Sequence, residues 1–242
     1  MLKKVFSEEG PHELRISRFF SSPGIARHPR NHCVPLLGVI KIPRTGQKLM
    51  VMPLLRPFNN PSFQTFGEFI AFFTQVCEVC FLTNHRRRES INFDVHSIRA
   101  FNSCTSKTLH TGGRGRLRME ALSKTFFRDC TANNLMFDPS GMYPQGFHPT
   151  QMNRSRDFKC RAMRYTRTQM PPRYYLIDFG LSRQYLSREA LDEPLRGGDK
   201  SAPEHRYRAP CNPFQTDIYY LGNLVREQFM QVRSAIHSPS HS

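Results

Sequence analysis

Two short stretches of the sequence carry residue types that could transfer a phosphoryl group. FRDCTANN contains Asp129 and, five residues later, Asn134, and YYLIDFGLS contains Asp178 behind an apolar run. Phosphoryl transfer needs metal ions held by oxygen ligands, a carboxylate near the acceptor hydroxyl and positive charge on the phosphates. Because Mg²⁺ prefers hard oxygen ligands, Asn134 and Asp178 could share the metal, which leaves Asp129 to receive the hydroxyl proton. The three residues therefore predict one site built from segments that are distant in sequence.

The N-terminal part of the sequence predicts the elements that would face this site. MLKKVF is typical of a short strand, and PHELRISRFF has the apolar spacing of a helix that starts near Glu13. Two apolar runs, residues 33–42 and 48–55, flank a turn over Pro43 to Gly46 and so predict a β-hairpin that leads into a proline-bearing connector.

A long buried helix is predicted to follow the connector, at FQTFGEFIAFFTQVCEVCFL. Its apolar residues recur three and four apart, which places them on one helix face: Phe66, Phe69, Ile70, Phe73, Val76, Cys77, Cys80 and Phe81. The C-x-x-C formed by Cys77 and Cys80 has no second pair and no histidine at ligand spacing. We therefore interpret it as buried packing and place no metal there.

The C-terminal part predicts one strand and one helix. RYYLIDFGLS is apolar and rich in strand formers as far as Asp178. FQTDIYYLGNLVREQFM predicts a helix with Thr216 as its N-cap, and its apolar stripe consists of Ile218, Leu221, Leu224, Val225 and Phe229. The polar tail, residues 231–242, is expected to fray.

The excess of positive charge is concentrated in two segments that lack periodicity. The chain carries a formal charge of +16, and residues 83–126 and 139–173 are rich in arginine. We predict that both are solvated basic insertions that the fold does not need, and that a protease cuts first near residues 86–88 and 154–167. A shaped binding surface is the alternative. A nucleic-acid binder acting through the same arginines is less favoured, because aromatic residues there are sparse.

The sequence also indicates the cellular compartment of the protein. The longest apolar run is interrupted by Glu68, Gln75 and Glu78, so no membrane partner is expected. Charges occur throughout the first residues, where a secretory signal would be apolar, and the seven cysteines are irregularly spaced. These features predict an intracellular protein, cytoplasmic or nuclear, with reduced thiols. The oligomeric state is left open.

The motifs, taken in order, resemble the eukaryotic protein kinase superfamily. FRDCTANN is similar to the catalytic loop H-R-D-x-x-x-x-N, DFG at 178–180 to the metal-binding signature, and APE at 202–204 to the end of the activation segment. DIYYLG at 217–222 resembles the start of the central helix of the C-lobe. The wide spacing between the first two motifs, together with GGDKSAPE, resembles a kinase-like group from fungi.

The resemblance implies an α+β, two-lobe kinase-like fold in one domain. Because no glycine-rich loop precedes Met1 and little follows the helix at 217, it also implies an incomplete N-lobe and a truncated helical C-lobe. Residues 83–124 are interpreted either as an insertion or as unspliced sequence. The implied divisions are a partial N-lobe at 1–55, a partial C-lobe at 56–230, basic insertions at 83–126 and 139–173, and a tail at 231–242, within one domain of 1–242.

The implied activity is transfer of the γ-phosphate of ATP to a protein Ser or Thr, with Mg²⁺ and ATP as cofactors and a protein as substrate. In the catalytic loop, Asp129 would act as the base, beside Arg128 and Asn134. Asn134 and Asp178 would bind the metal.

The nucleotide would be held mainly by the N-terminal part. Lys3 would contact the α- and β-phosphates, with Glu13 as its helix partner. Met52 would be the gatekeeper, and the backbone of Leu54 and Leu55 would face the adenine.

Two residues depart from the family pattern. Phe127 occupies the position of the usual His, and Thr131 that of a phosphate-contacting Lys. Phe127 can still pack as a spine residue, but Thr131 and the missing phosphate-covering loop predict weakened transfer. The alternative is a pseudokinase or degenerate fragment that acts as a protein-binding module.

Overall fold

Short antiparallel sheets and a small set of helices form the described part of the chain. The structure is a computed structural model, and it describes residues 1–5, 12–84, 125–126, 130–185, 190–194, 199–207 and 209–230. Strands and helices are mixed along the chain, so the predicted α+β class is confirmed. Arg128 and Asp129 lie outside the described residues, as do Phe127, residues 85–124 and the tail at 231–242.

The first sheet contains β1 (Leu2–Val5), β2 (Gly38–Lys41) and β3 (Lys48–Val51). β3 lies in the middle and pairs antiparallel with both neighbours. The predicted N-terminal strand and β-hairpin are therefore confirmed, although the strands are shorter than predicted. Cys33 lies outside β2 and instead forms a parallel bridge with Leu176.

The hairpin turn depends on two residues with left-handed backbone. Arg44 has φ 72° and Gly46 has φ 67°, and the Ile42 N–H donates to the Gln47 carbonyl oxygen at 2.8 Å. Glycine adopts this region without the steric cost that a Cβ imposes. The turn reverses the chain so that Lys41 faces Lys48.

Helix α1 (Glu13–Phe20) and the single turn α2 (Pro23–Ala26) connect β1 to the hairpin. The predicted helix is confirmed at its predicted start. Ile16, Phe20 and Ile25 are buried in the core, and so this part of the chain is anchored by apolar contacts.

Helix α3 (Phe66–Asn84) confirms the predicted long helix, but its buried face is rotated from the predicted one. Phe72 is fully buried, whereas Phe66 is 70% exposed. The reason is the partner surface: the Phe72 ring stacks on Phe58 at a centroid distance of 4.8 Å and meets the edge of Tyr174, also at 4.8 Å. Cys77 is half-buried.

The second sheet contains β4 (Arg56–Pro57), β6 (Leu135–Phe137) and β7 (Tyr174–Leu176), with β6 in the middle. Leu135 pairs with Leu176, and β7 is the strand that the sequence predicted before Asp178. A two-stranded ribbon joins β5 (Thr125–Phe126) to β8 (Arg183–Gln184).

Helices α4 (Glu204–Tyr207) and α5 (Pro213–Val225) follow, and α5 continues into a wider π-helical turn at Arg226–Met230. The predicted helix is confirmed, but Thr216 is not its N-cap. Asn212 is the cap, because its side chain accepts a hydrogen bond from the Phe214 N–H at 3.0 Å. Ile218 is exposed, since Tyr220, Leu221 and Leu224 form the buried face.

Residues 139–173 differ most from the sequence-based prediction. The segment has no long helix or strand, in agreement with its lack of periodicity, but it is not a solvated insertion. Met142, Tyr143 and Phe147 are buried in the core, and Arg167 is only 4% exposed. The prediction of a solvated segment is wrong, because Arg167 donates to the Phe58 carbonyl and lies over the ring of Phe137 in the second sheet.

Candidate functional site

Lys3 contacts two carboxylates that come from distant parts of the chain. Its Nζ lies 2.5 Å from Glu13 Oε1 and 2.6 Å from Asp178 Oδ1. β1 supplies the lysine, Glu13 is the first residue of α1, and Asp178 follows β7 by two residues. Three of the residues singled out in the sequence therefore meet at one point.

Glu13 is the buried member of this group. It is 4% exposed, and burial raises the pKa of its carboxyl above the ordinary value. Lys3 and the backbone N–H of Phe179 both lower that pKa, the charge of Asp178 raises it, and the net result is a raised pKa with burial as its largest cause. A buried carboxylate with these partners can hold the lysine ammonium in one orientation.

Asp178 is the open member of the group. Its side chain is 45% exposed, and its backbone has φ 59°, in the left-handed region. Its Oδ1 accepts the Gly180 N–H at 3.1 Å. A Cβ at position 180 would lie 3.1 Å from that oxygen, so glycine leaves the carboxylate room. Phe179 points the other way and is buried, 6.1 Å from Phe20 between ring centroids.

Asn134 lies at the same end of the second sheet as Asp178. It ends a 3₁₀ turn, Ala132–Asn134, immediately before β6, and its carbonyl accepts the Ile177 N–H at 2.9 Å. Since β6 and β7 are antiparallel, the residue before one strand faces the residue after the other. The sheet thus brings the two predicted metal ligands to one edge.

The segment predicted to face the adenine follows β3. The Met52 N–H donates to the Met1 carbonyl at 2.9 Å, which extends the pairing of β1 with β3. Met52 and Leu55 are buried in the core, whereas Leu54 is exposed. The predicted base, Asp129, and its neighbour Arg128 lie outside the described residues.

A polar network, which the sequence analysis missed, joins the APE region to α5. The Glu204 carboxylate accepts the Thr216 hydroxyl, and the Tyr219 hydroxyl donates to the Ser201 carbonyl at 3.0 Å. Asn223 donates to the Asp199 carboxylate at 2.6 Å. The available signal was helical spacing, because Thr216, Tyr219 and Asn223 recur three and four residues apart.

Two negative findings apply to the part of the chain that the structure describes. No three His, Cys, Asp or Glu side chains there are grouped as a metal site. No helix among the same residues combines the length and apolar character needed to cross a membrane.

No protein-family model matches the chain, and no curated protein matches it either. The function must therefore be inferred from the chain's own residues and their geometry.

Proposed function

We propose that the chain is a protein kinase-like phosphotransferase that moves the γ-phosphate of ATP to a Ser or Thr hydroxyl of a protein. The observation that carries this proposal is the contact of Lys3 with both Glu13 and Asp178. Asp178 lies more than 160 residues from Lys3 and Glu13 in the sequence, and the proposed roles of all three follow from the resemblance to the kinase superfamily.

The proposed architecture is two-lobed. The sheet β1–β3 with α1 fits a small lobe that ends near residue 55, and α3, the second sheet and α5 fit a larger, more helical lobe at 56–230. The contact of Phe179 with Phe20 joins the two proposed lobes, because it packs the residue after Asp178 against α1.

The side chains have the chemistry that the transfer requires. Glu13 holds the Lys3 ammonium, which can then neutralise phosphate oxygens. The half-exposed Asp178 carboxylate and the Asn134 amide are hard oxygen donors that fit Mg²⁺. When bound, Mg²⁺ would neutralise charge on the β- and γ-phosphates. Asp129 is proposed to receive the proton of the acceptor hydroxyl.

The network on α5 fits the same proposal. In it, Glu204 and Asp199 fix the stretch that resembles the end of an activation segment to the helix that resembles the centre of a C-lobe. A fixed segment can orient a substrate hydroxyl, and orientation accounts for a large part of the rate of such reactions.

A pseudokinase that binds nucleotide without efficient transfer is the second candidate. Thr131 favours it, because its buried side chain carries no charge where the family places a lysine. The loss of one electrostatic contact to a transition state costs about 10²–10³ in rate. Nucleotide binding and transfer must therefore be measured separately.

The first measurement is Mg²⁺-dependent binding of a fluorescent ATP analogue to the full chain. Replacing Lys3→Met or Asp178→Asn should weaken binding roughly tenfold or more, since each removes a charged contact of about 1.5–3 kcal/mol. Lys48→Met is the matched control, because Lys48 is an exposed lysine on β3. Equal affinity in wild type and both site variants would refute the proposed site.

The second measurement is transfer of radiolabelled phosphate to a protein mixture, with Asp129→Asn as the control for contaminating kinases. Transfer that is lost in Asp129→Asn supports the kinase proposal. Nucleotide binding without such transfer identifies the pseudokinase instead.

A further inference from the structure

Residues 153–162 form a compact hairpin on the surface, which we call the basic hairpin. Arg154 and Arg161 face each other in an antiparallel bridge. The Ser155 N–H donates to the Cys160 carbonyl, and the Ala162 N–H to the Asn153 carbonyl, both at 2.9 Å. The tip closes through the Phe158 N–H, which donates to the Ser155 carbonyl at 3.0 Å. These hydrogen bonds give the segment a defined shape.

The basic hairpin concentrates exposed positive charge. Its exposed cationic residues are Arg154, Arg156, Lys159 and Arg161. Its acidic residue, Asp157, is engaged locally, because its carboxylate accepts the Ser155 hydroxyl at 2.6 Å and the Lys159 backbone N–H at 3.2 Å. Asp157 therefore shapes the tip, while the hairpin as a whole keeps an excess of positive charge.

Exposed apolar side chains lie on and beside these cations. Phe158 is 49% exposed, and its backbone has a left-handed φ of 67°. Met163 and Tyr165, which directly follow the hairpin, are also exposed. A purely solvated loop gains nothing from exposing large apolar groups, whereas interfaces combine them with arginine.

A buried cation holds the base of the basic hairpin. Arg56 is fully buried and donates from Nη1 to the Met152 carbonyl at 2.6 Å and from Nη2 to the Asn153 side chain at 3.1 Å. Its guanidinium lies over the rings of Tyr143 and Phe147, at 4.5 and 4.8 Å. The hairpin is thus ordered before any partner arrives, which lowers the entropic cost of binding.

We propose that the basic hairpin is a docking surface for an acidic peptide segment. If the proposed function holds, on which this assignment rests, that segment belongs to the protein substrate. Charge complementarity identifies the partner, because a fixed set of cations attracts a cluster of carboxylates. Arg154 and Arg161 face each other across the antiparallel bridge, and directly opposed residues of such a pair project from the same face with Cβ atoms about 4.5–5.5 Å apart, so the two arginines can contact one acidic cluster together.

A nucleic-acid strand fits this surface less well. Single strands bind along grooves in which successive bases stack on a series of aromatic rings. Phe158 is the aromatic residue within 153–162, and the His148 ring already packs against it edge to face at 4.8 Å. Carboxylates need only the cations, which the hairpin supplies.

The test is fluorescence polarisation with the full chain and a labelled octapeptide that contains six glutamates. The variant Arg154→Gln/Lys159→Gln/Arg161→Gln should bind roughly tenfold more weakly, as expected for the loss of several exposed ion pairs. Its matched control is Lys41→Gln/Arg44→Gln/Lys48→Gln, which removes the same charge from exposed positions on the β2–β3 hairpin. The control should bind within about twofold of wild type.

Three outcomes would overturn the proposal. One is equal weakening in both triple variants, which would mean that overall charge attracts the peptide. Another is unchanged affinity of the wild-type protein for a peptide in which glutamine replaces all six glutamates. The third is tighter binding of a single-stranded RNA of equal charge, lost in the hairpin variant, which would identify a nucleic-acid site.

The docking proposal and the proposed function can fail separately. Asp178→Asn should bind the acidic peptide like wild type, because Asp178 belongs to the nucleotide site. If the protein bound the acidic peptide but no nucleotide, the docking proposal would stand and the proposed kinase function would be rejected.

Discussion

Replacing Arg167→Ala should destabilise the fold strongly, although the residue belongs to a segment that has no periodic pattern. The Arg167 guanidinium donates to the Tyr174 hydroxyl and to the carbonyls of Phe58 and Pro61, each at 2.7 Å. It also lies over the rings of Phe63 and Phe137, at 4.6 and 4.7 Å. The alanine variant leaves three acceptors without their charged donor.

The magnitude follows from two opposing effects. Hydrogen bonds from a charged donor are worth about 1.5–3 kcal/mol each. In the described part of the chain these bonds all go to neutral oxygens, so the substitution also relieves the cost of burying a cation, which is several kcal/mol. Since most single substitutions cost about 0.5–3 kcal/mol and losses above about 4–5 kcal/mol are exceptional, we expect a net loss of about 3 kcal/mol in the free energy of unfolding.

Urea denaturation and thermal unfolding measure this loss. For a chain of this size, about 3 kcal/mol corresponds to a fall in Tm of roughly 6–12 °C. Arg167→Lys keeps the charge but loses the planar fork, so it should lose less stability than alanine. Arg161→Ala is the control, because its side chain is exposed, and should stay within about 0.5 kcal/mol of wild type. If Arg167→Ala were as stable as Arg161→Ala, the claim that this segment belongs to the core would be wrong.

Two further predictions concern single side chains. Burial raises the pKa of Tyr174 from its ordinary 10.0 to about 12, so stability from the neutral phenol is complete below pH 10 and is lost as pH rises toward 12. The free energy of unfolding of wild type should therefore fall by up to about 3 kcal/mol over that interval. Urea titrations at each pH should show a smaller fall with pH for Tyr174→Phe. Asn212→Ala should lower the free energy of unfolding by about 1 kcal/mol through loss of the N-cap. An effect no larger than that of Gln228→Ala, on the following turn, would contradict the cap.

The elements that could be predicted from the sequence are those whose signal is local. The β2–β3 hairpin and the helices α1, α3 and α5 have runs of apolar residues at strand or helix spacing, and these elements are present. The pairing of Lys3 with Glu13 followed from the resemblance, whereas the contact of Lys3 with Asp178 was not predicted, since nothing in their spacing fixes a contact across the chain. Their chemical roles stay predictions.

The faces and caps of these helices could not be predicted from periodicity. In α3, Phe66 and Phe72 are equally apolar, and the contacts of Phe72 with Phe58 and Tyr174 decide which one is buried. In α5, Asn212 and Thr216 are both good caps, and the position of Pro213 as the first helical residue selects Asn212.

The burial of the segment at 139–173 was mispredicted because the amino-acid sequence does not distinguish a buried arginine from an exposed one. Within this segment, Arg167 is buried against carbonyl oxygens and aromatic rings, as is Arg56 on β4, whereas Arg154 and Arg161 face solvent. Burial lowers the pKa of both Arg56 and Arg167. Composition alone assigns all such residues to the surface.

The buried arginines also connect the basic segment to the candidate site. Arg167 donates to the hydroxyl of Tyr174, the first residue of β7, and β7 leads directly to Asp178. Because β7 pairs with β6, the same strand fixes the backbone of Asn134 through the Ile177 N–H. A loosened segment at 139–173 would therefore release the strand that positions both proposed metal ligands. The segment that we propose for docking and the residues that we propose for catalysis thus share one structural support.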